Sequence, residues 1–272
     1  GQVRARQPGL SDDEAWQHLP LLLIFYALQY ALLGEHAPRL APWLALASAA
    51  ALLAANVAAR RWLTPGASAR LVGWYVALAL FHAGYLELLP AAFAPWLALL
   101  LPLALAAHRL RDAQAPLPGW PLRALVGAIF ALNFLESVAW AHAAPETPRL
   151  PALLFAVELY LAWYLAGRLP GLAALRAPAL YLGHAAMMSA AVLLLDGRLA
   201  VSLAWGASAL ACLWLAFRLR DRLLGKSALL LLAASAAKVL LVDLSGAAPL
   251  TRVALLLVLG ATLYAGGWMY RK

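Results

Sequence analysis

Charged residues, cysteine and catalytic motifs are scarce in this sequence. Asp, Glu, Lys and Arg make up 12% of the 272 residues, about half of the roughly 25% that is typical of soluble domains. The single cysteine, Cys212, excludes an intrachain disulfide framework. The sequence contains no phosphate loop, dinucleotide fingerprint, paired-cysteine site or HExxH motif. We therefore expect neither a cofactor nor a metal, and no motif marks a soluble enzyme.

Hydrophobic residues are abundant instead. They form 65% of the chain, and the mean hydropathy is +0.79. Soluble domains contain about 45–50% apolar residues, so this excess is larger than one buried core can hold. Apolar runs recur along the whole length, and many are long enough to cross a hydrocarbon layer of about 30 Å. The composition predicts an all-α, polytopic transmembrane helical bundle.

The apolar runs predict about ten spans, arranged as five tandem helical hairpins. We expect a cytoplasmic N-terminal segment, residues 1–17, followed by one transmembrane domain, residues 18–272. The first residue is Gly and no short apolar signal region follows it, so we expect the chain to be a piece of a longer protein. The predicted spans are 18–34, 40–59, 70–89, 92–109, 122–143, 150–168, 177–195, 199–217, 226–243 and 251–270.

The basic residues alternate between the two sides of this predicted bundle. Of 21 Lys and Arg residues, 16 fall in one set of alternate loops and 4 in the other, while Lys238 lies within a span. Cytoplasmic loops of membrane proteins carry an excess of Lys and Arg. The bias therefore predicts that both termini are cytoplasmic. It also explains the net charge of +9 without a nucleic-acid partner.

Several ionisable or polar groups lie inside the predicted spans. A charge at the bilayer centre costs about 2.5–3.5 kcal/mol on insertion scales, so such a group is a functional candidate by default. A rise of about 1.5 Å per residue places most of them in the middle or outer half of their spans. We predict a polar cavity, open to the outer side, that is lined by Asn133, Glu136, Glu158, His184 and Lys238. The alternative is that each group is tied into a helix–helix hydrogen bond or salt bridge.

Two charged residues flank the last predicted outer turn. Asp243 ends one span and Arg252 begins the next, so a structural clasp between them is plausible. Lys238 precedes Asp243 by five residues, which corresponds to about 140° around an α-helix. We therefore treat Lys238 and Asp243 as separate features. We expect the partner of Lys238 to come from another helix, with Glu136 or Glu158 as first candidates, or from a ligand anion.

The C-terminal quarter carries a recognisable order of segments. GHAAMM (183–188) is followed by LAWGASALACLWLAFRLRDRLL (203–224), AAKVLLVDLSG (236–246) and RVALLLVLGATLYAGGWMYRK (252–272). This order resembles the C-terminal part of bacterial polytopic membrane proteins of domain-of-unknown-function family 2339. The matching positions are Lys238, Asp243, Leu244, Ser245, Arg252, Gly260 and Tyr270. The resemblance implies a protein of the bacterial cytoplasmic membrane, and it implies no particular activity.

Three functions remain open at this point. The first is a binding or transport scaffold for a lipid or a small envelope molecule in the outward-displaced polar cavity. The second is a structural or assembly partner in the membrane that has no ligand. The third is a membrane-embedded enzyme that acts on a lipid-linked substrate, with Glu136 or Glu158 as general base. The partners expected are membrane lipids, a small-molecule or lipid ligand, and other proteins in the membrane.

Overall fold

The fold was analysed in a computed structural model that describes residues 17–59, 67–111, 119–139, 149–169, 171–243 and 249–271. Every regular element within these ranges is helical, as the composition predicts. The chain divides into two compact units, residues 1–133 and residues 134–272. Nearly all of the predicted N-terminal segment, as well as the turn at residues 244–248, lies outside the described residues.

Ten α-helices follow one another in the described part of the chain. The first unit holds α1 (Leu19–His36), α2 (Ala41–Ala59), α3 (Ala67–Ala79), α4 (Ala94–Arg111) and α5 (Trp120–Phe134), whose last residue belongs to the second unit. The second unit holds α6 (Arg149–Ala166), α7 (Arg176–Leu194), α8 (Arg198–Leu219), α9 (Arg222–Lys238) and α10 (Pro249–Arg271).

The predicted spans coincide with these helices. Nine helical segments in the described ranges have the length and hydropathy of a membrane span. The tenth helix, α10, has 23 residues, which is about 35 Å at a rise of roughly 1.5 Å per residue. Large apolar side chains on many helices point outwards, including Leu21, Leu100 and Leu230, which are 65%, 62% and 61% exposed. An apolar outer surface is what a helix facing lipid requires, so the prediction of a polytopic helical bundle is confirmed.

Small residues line the contacts between helices. Ala79, Ala83 and Ala156 are fully buried. A Cβ atom at Gly183 of α7 would lie 3.4 Å from the Cβ of Leu159 on α6. Association in lipid depends on close backbone approach, which small residues permit. The most extensive packing between consecutive helices occurs for α6 with α7 and for α8 with α9. The connection within each of these two pairs lies at the end where the arginines are found. The hairpins predicted from the sequence are instead joined at their outer loops.

Within the described ranges, three helices end in a stretch of π-helix. Leu80–Leu88 follows α3, Leu135–Ala139 follows α5, and Val239–Asp243 follows α9. Each stretch contains one acidic residue, namely Glu87, Glu136 or Asp243. A π-helix bonds residue i to residue i+5 and is often found at functional sites. Its wider turn changes which side chains share a face, and this decides the geometry of the polar sites.

Candidate functional site

Lys238 and Asp243 form an ion pair on one helix. The Lys238 Nζ lies 3.0 Å from Oδ1 and 3.1 Å from Oδ2 of Asp243. Both side chains are largely buried, with 15% and 3% exposure. Their five-residue spacing would separate them on an α-helix, but Val239–Asp243 is π-helical, and i→i+5 bonding brings residues five apart towards the same face. The expectation that Lys238 finds its charged partner on another helix is therefore wrong.

Helix α8 completes the surroundings of this ion pair. The Lys238 ammonium donates to the Ser202 hydroxyl at 2.5 Å and to the Arg198 carbonyl at 3.2 Å. The Ser202 hydroxyl in turn donates to the Asp243 carboxylate. The Trp205 ring centroid lies 5.7 Å from the Lys238 Nζ, within cation–π range. The Lys238 ammonium can make three donor bonds, and Asp243, Ser202 and Arg198 supply acceptors for all of them.

Arg252 of α10 is exposed and lies within the described residues. Residues 244–248, between Asp243 and Arg252, lie outside the described residues. A clasp between Asp243 and Arg252 therefore stays a prediction, whereas Asp243 contacts Lys238 and Ser202.

The first unit contains a similar pair of a basic and an acidic residue five positions apart, again on a π-helical stretch. The His82 Nδ1 lies 3.7 Å from Oε1 of Glu87, and the Tyr30 hydroxyl of α1 donates to the same carboxylate. The Tyr30 ring packs edge-on against His82, with centroids 4.5 Å apart. A base, an acid five residues later, a hydroxyl from another helix and an aromatic ring therefore occur together twice in this chain.

His184 lies in a hydrogen-bonded chain that joins three helices. Its Nδ1 lies 2.6 Å from the Tyr160 hydroxyl of α6, and its Nε2 lies 3.0 Å from the Ser227 hydroxyl of α9. The Ser227 hydroxyl donates to the Leu224 carbonyl at 2.9 Å. A neutral imidazole with its proton on Nε2 fits all three contacts, because Tyr160 then donates to Nδ1 and Nε2 donates to Ser227. Tyr160 also interacts with the thiol of Cys212 on α8.

Glu158 has a different environment from the other candidates. Its side chain lies near the middle of α6, nine residues after Arg149, and the residue is 8% exposed. Neither of its carboxylate oxygens has a hydrogen-bond partner among the described residues. Most buried polar groups in proteins are hydrogen-bonded, and an exception requires an explanation. Glu158 is therefore the candidate whose polar side-chain atoms all lack a partner among the described residues, whereas Asn133 lacks one only at Oδ1.

The remaining two candidates lie apart from these groups. The amide nitrogen of Asn133, which is fully buried, donates to the Tyr85 hydroxyl and, at 2.9 Å, to the Ile129 carbonyl. Glu136 is exposed on its π-helical stretch. Among Glu136, Glu158, His184 and Lys238, which all belong to the second unit, no hydrogen bond or ion pair joins any two in the described part of the chain. The common cavity predicted for these residues stays a prediction.

A second ion pair lies at the other end of α9. The Asp221 carboxylate accepts hydrogen bonds from the backbone nitrogens of Leu223 and Leu224, at 2.9 and 3.1 Å, and so caps the helix. Its other oxygen binds the Arg176 guanidinium at the start of α7. Both oxygens of this acid are therefore used within the protein.

Sequence reasoning missed the partners of the candidate groups. Tyr85, Tyr160, Ser202 and Ser227 were not predicted as site residues, because the helix that each one faces cannot be read from periodicity alone. One signal was available, since His82 with Glu87 and Lys238 with Asp243 share the same spacing. Within the described ranges, no group of three or more His, Cys, Asp or Glu side chains could hold a metal ion.

The apolar helices and the polar groups buried between them define a polytopic helical membrane protein. The chain belongs to the family described as "Predicted membrane protein (DUF2339)", whose model matches residues 12–272. The match extends the resemblance of the C-terminal quarter to nearly the whole chain. Comparisons with curated proteins and with solved structures gave no significant match.

Proposed function

We propose that this membrane protein is a binding or transport scaffold for a lipid or a small envelope molecule, and that Glu158 binds the polar group of the ligand. The observation that carries the proposal is the buried Glu158 carboxylate, which lacks a hydrogen-bond partner among the described residues. A buried polar group without a partner destabilises the fold by about 1–3 kcal/mol, and more if it is charged. A ligand that binds reversibly would supply the missing hydrogen bonds.

The chemistry of a carboxylate limits what that partner can be. An ionised carboxylate accepts hydrogen bonds only, and a protonated one donates a single bond. The ligand must therefore present an ammonium or another hydrogen-bond donor, or Glu158 must take up a proton when the ligand leaves. Lys238 is a weaker candidate for ligand binding, because Asp243, Ser202 and Arg198 already accept its hydrogen bonds.

We also infer that the protein lies in the bacterial cytoplasmic membrane with both termini in the cytoplasm. The uneven distribution of Lys and Arg between alternate loops supports this orientation, and the family resemblance supports the type of membrane. Reporter fusions at loops of each predicted side test it, and an outer-side reporter signal from the arginine-rich loops would reverse the assignment.

The proposed role of Glu158 is tested by comparing the wild-type chain with Glu158→Leu and Glu158→Gln. Both variants are purified with native lipids, and the co-purifying lipids and small molecules are identified by mass spectrometry. We expect a species with an amine or hydroxyl group to accompany the wild type and to be lost from both variants. We also expect Glu158→Leu to raise the melting temperature of delipidated protein, because the substitution removes a buried polar group that lacks a partner.

The matched control is Glu35→Gln, which changes an exposed acid at the end of α1 that lies outside the predicted cavity. This variant should retain the same species and the same melting temperature. If Glu158→Leu lowers the melting temperature and leaves the co-purifying species unchanged, the carboxylate has a structural role and the proposal is wrong.

A structural or assembly role is the second candidate. It is supported by Lys238 and His184, whose polar atoms contact neighbouring helices rather than an open space. In that case Glu158 would pair with another membrane protein. Wild type and Glu158→Leu would then differ in the proteins recovered after mild cross-linking, and their small-molecule content would be the same.

A further inference from the structure

The turn between α8 and α9 carries a concentrated positive charge. Its basic side chains are Arg218, Arg220, Arg222 and Lys226, and all four residues are exposed. None of them forms an ion pair within the described part of the chain. Asp221 is the single acidic residue between Gly197 and Val242, and its carboxylate already caps α9 and binds Arg176. The four cations therefore have no counter-ion on these two helices.

The backbone reverses direction at the three arginines. Arg220 has a φ of 51° and ends α8 in the left-handed conformation. Its backbone nitrogen bonds to the carbonyls of Ala216 and Phe217. Helix α9 begins only two residues later, at Arg222. Such a short reversal holds three arginines within five residues at one end of the helix pair.

Aromatic side chains stand one helical turn before the arginines. The Arg218 guanidinium lies 5.2 Å from the ring centroid of Trp214, which is 51% exposed. The same arrangement occurs at the end of α6, where the Arg168 guanidinium lies 3.6 Å from the ring centroid of Tyr164, which is 40% exposed. Exposed Trp and Tyr collect at the headgroup level of a bilayer. We therefore expect the arginines beyond them to lie at the depth of the lipid phosphates.

Apolar surface adjoins the charged turn. Phe217 and Leu219 are 52% and 42% exposed and lie in the same last turn of α8 as Arg218. A soluble anion would gain nothing from these side chains, whereas an acyl chain would cover them. Charge and apolar surface together fit a ligand that has an anionic head and a hydrocarbon tail.

We propose that the α8–α9 turn binds the headgroup of an anionic phospholipid. Arg218, Arg220 and Arg222 contact the phosphate, and Lys226 adds to the local positive potential. Arg is suited to this task, because its planar guanidinium offers paired donors to a phosphate. The site is separate from Glu158, so its failure would leave the proposed function of Glu158 untouched.

The experiment measures lipid binding to the purified full chain by native mass spectrometry. The probes are phosphatidylglycerol and phosphatidylcholine with identical acyl chains. We expect the wild type to retain phosphatidylglycerol preferentially and the triple variant R218Q/R220Q/R222Q to lose that preference. About 1 kcal/mol for each basic residue near a membrane surface corresponds to about fivefold in affinity, so the three changes together should weaken binding by about a hundredfold.

Two control variants distinguish a specific binding site at this turn from a general effect of positive charge. R39Q/R123Q/R149Q removes three exposed arginines elsewhere and should leave the preference intact. R218K/R220K/R222K keeps the charge but removes the paired guanidinium donors, so it should retain only part of the preference and bind less tightly than the wild type. Equal losses in the two Gln variants, or equal retention of both lipids by the wild type, would overturn the proposal. Displacement of phosphatidylglycerol by millimolar inorganic phosphate would also overturn it, because the ligand would then be a free phosphate.

Discussion

The ammonium of Lys238 lies 3.0 Å from the carboxylate of Asp243, a residue five positions further along the same helix. The pair forms because Val239–Asp243 is π-helical. Ser202 of α8 contacts both charges, so the pair also fastens α9 to its neighbour. The most conspicuous charges of the C-terminal quarter are therefore explained as a connection between two helices.

Removing one member of this pair should destabilise the second unit. Breaking a buried ion pair from one side costs about 3–5 kcal/mol, because the remaining charge loses its partner. We expect Lys238→Met to lower the free energy of unfolding by that amount, and the double variant K238M/D243L to recover most of the loss. Chemical unfolding in detergent micelles measures both values. An additive effect of the two substitutions would contradict the coupling.

The π-helical turn can be tested by deleting one exposed residue. Deletion of Leu241, whose side chain is 76% exposed, reduces the spacing between Lys238 and Asp243 to four residues. Residues four apart share a face of an α-helix, so the ion pair should survive and the free energy of unfolding should fall by less than in Lys238→Met. Deletion of Leu230, which is 61% exposed within the α-helical part of α9, is the control and should be much more destabilising. Equal effects of the two deletions would show that the wide turn itself is required.

The hydrogen-bonded chain through His184 should contribute moderately to stability. Side-chain hydrogen bonds between membrane helices average about 0.6 kcal/mol, with a maximum near 1.7. His184→Leu removes the contacts with Tyr160 and Ser227, so we expect the free energy of unfolding to fall by about 1–3 kcal/mol. Ser208→Ala is the control, because the Ser208 hydroxyl donates to the Ala204 carbonyl of its own helix. Thermal unfolding of the wild type, His184→Leu and Ser208→Ala measures these differences. Equal melting temperatures would argue against a stabilising role of the hydrogen bonds at His184.

Substitutions of Asp221 should distinguish its role as the cap of α9 from its ion pair with Arg176. Loss of a helix cap costs about 0.5–2 kcal/mol. We expect Asp221→Ala to reach the upper part of this range, because it also leaves the Arg176 guanidinium without its carboxylate. Asp221→Asn keeps a capping oxygen and should be milder. Asp196→Ala changes an exposed acid in the turn before α8 and should have no effect on the measured unfolding midpoint.

Much of the architecture could be predicted from the sequence. The predicted spans 150–168 and 199–217 correspond to helices at Arg149–Ala166 and Arg198–Leu219. The limits agree within a few residues because each helix must cross a hydrocarbon layer of fixed thickness. Such a helix must also satisfy its own backbone hydrogen bonds. These two constraints act on each segment separately, so they can be read from local composition.

The candidate site was much less predictable. The five residues proposed for one cavity included Lys238, whose partner is on its own helix, and Glu158, which has no hydrogen-bond partner within the described ranges. An α-helical projection cannot foresee a change to π-helix, and this change decided the partner of Lys238. The sequence also gave no sign that Tyr160 and Ser227 would meet at His184.

By itself, the sequence determined the class of the protein and the approximate limits of its long apolar helices. Both follow from the free energy of moving single segments from water into lipid. Tertiary structure alone decided which polar side chains meet between the helices. It joined Lys238 to Asp243 and Ser202, and it left Glu158 without a hydrogen-bond partner among the described residues, because such contacts depend on the rotation and packing of whole helices against one another.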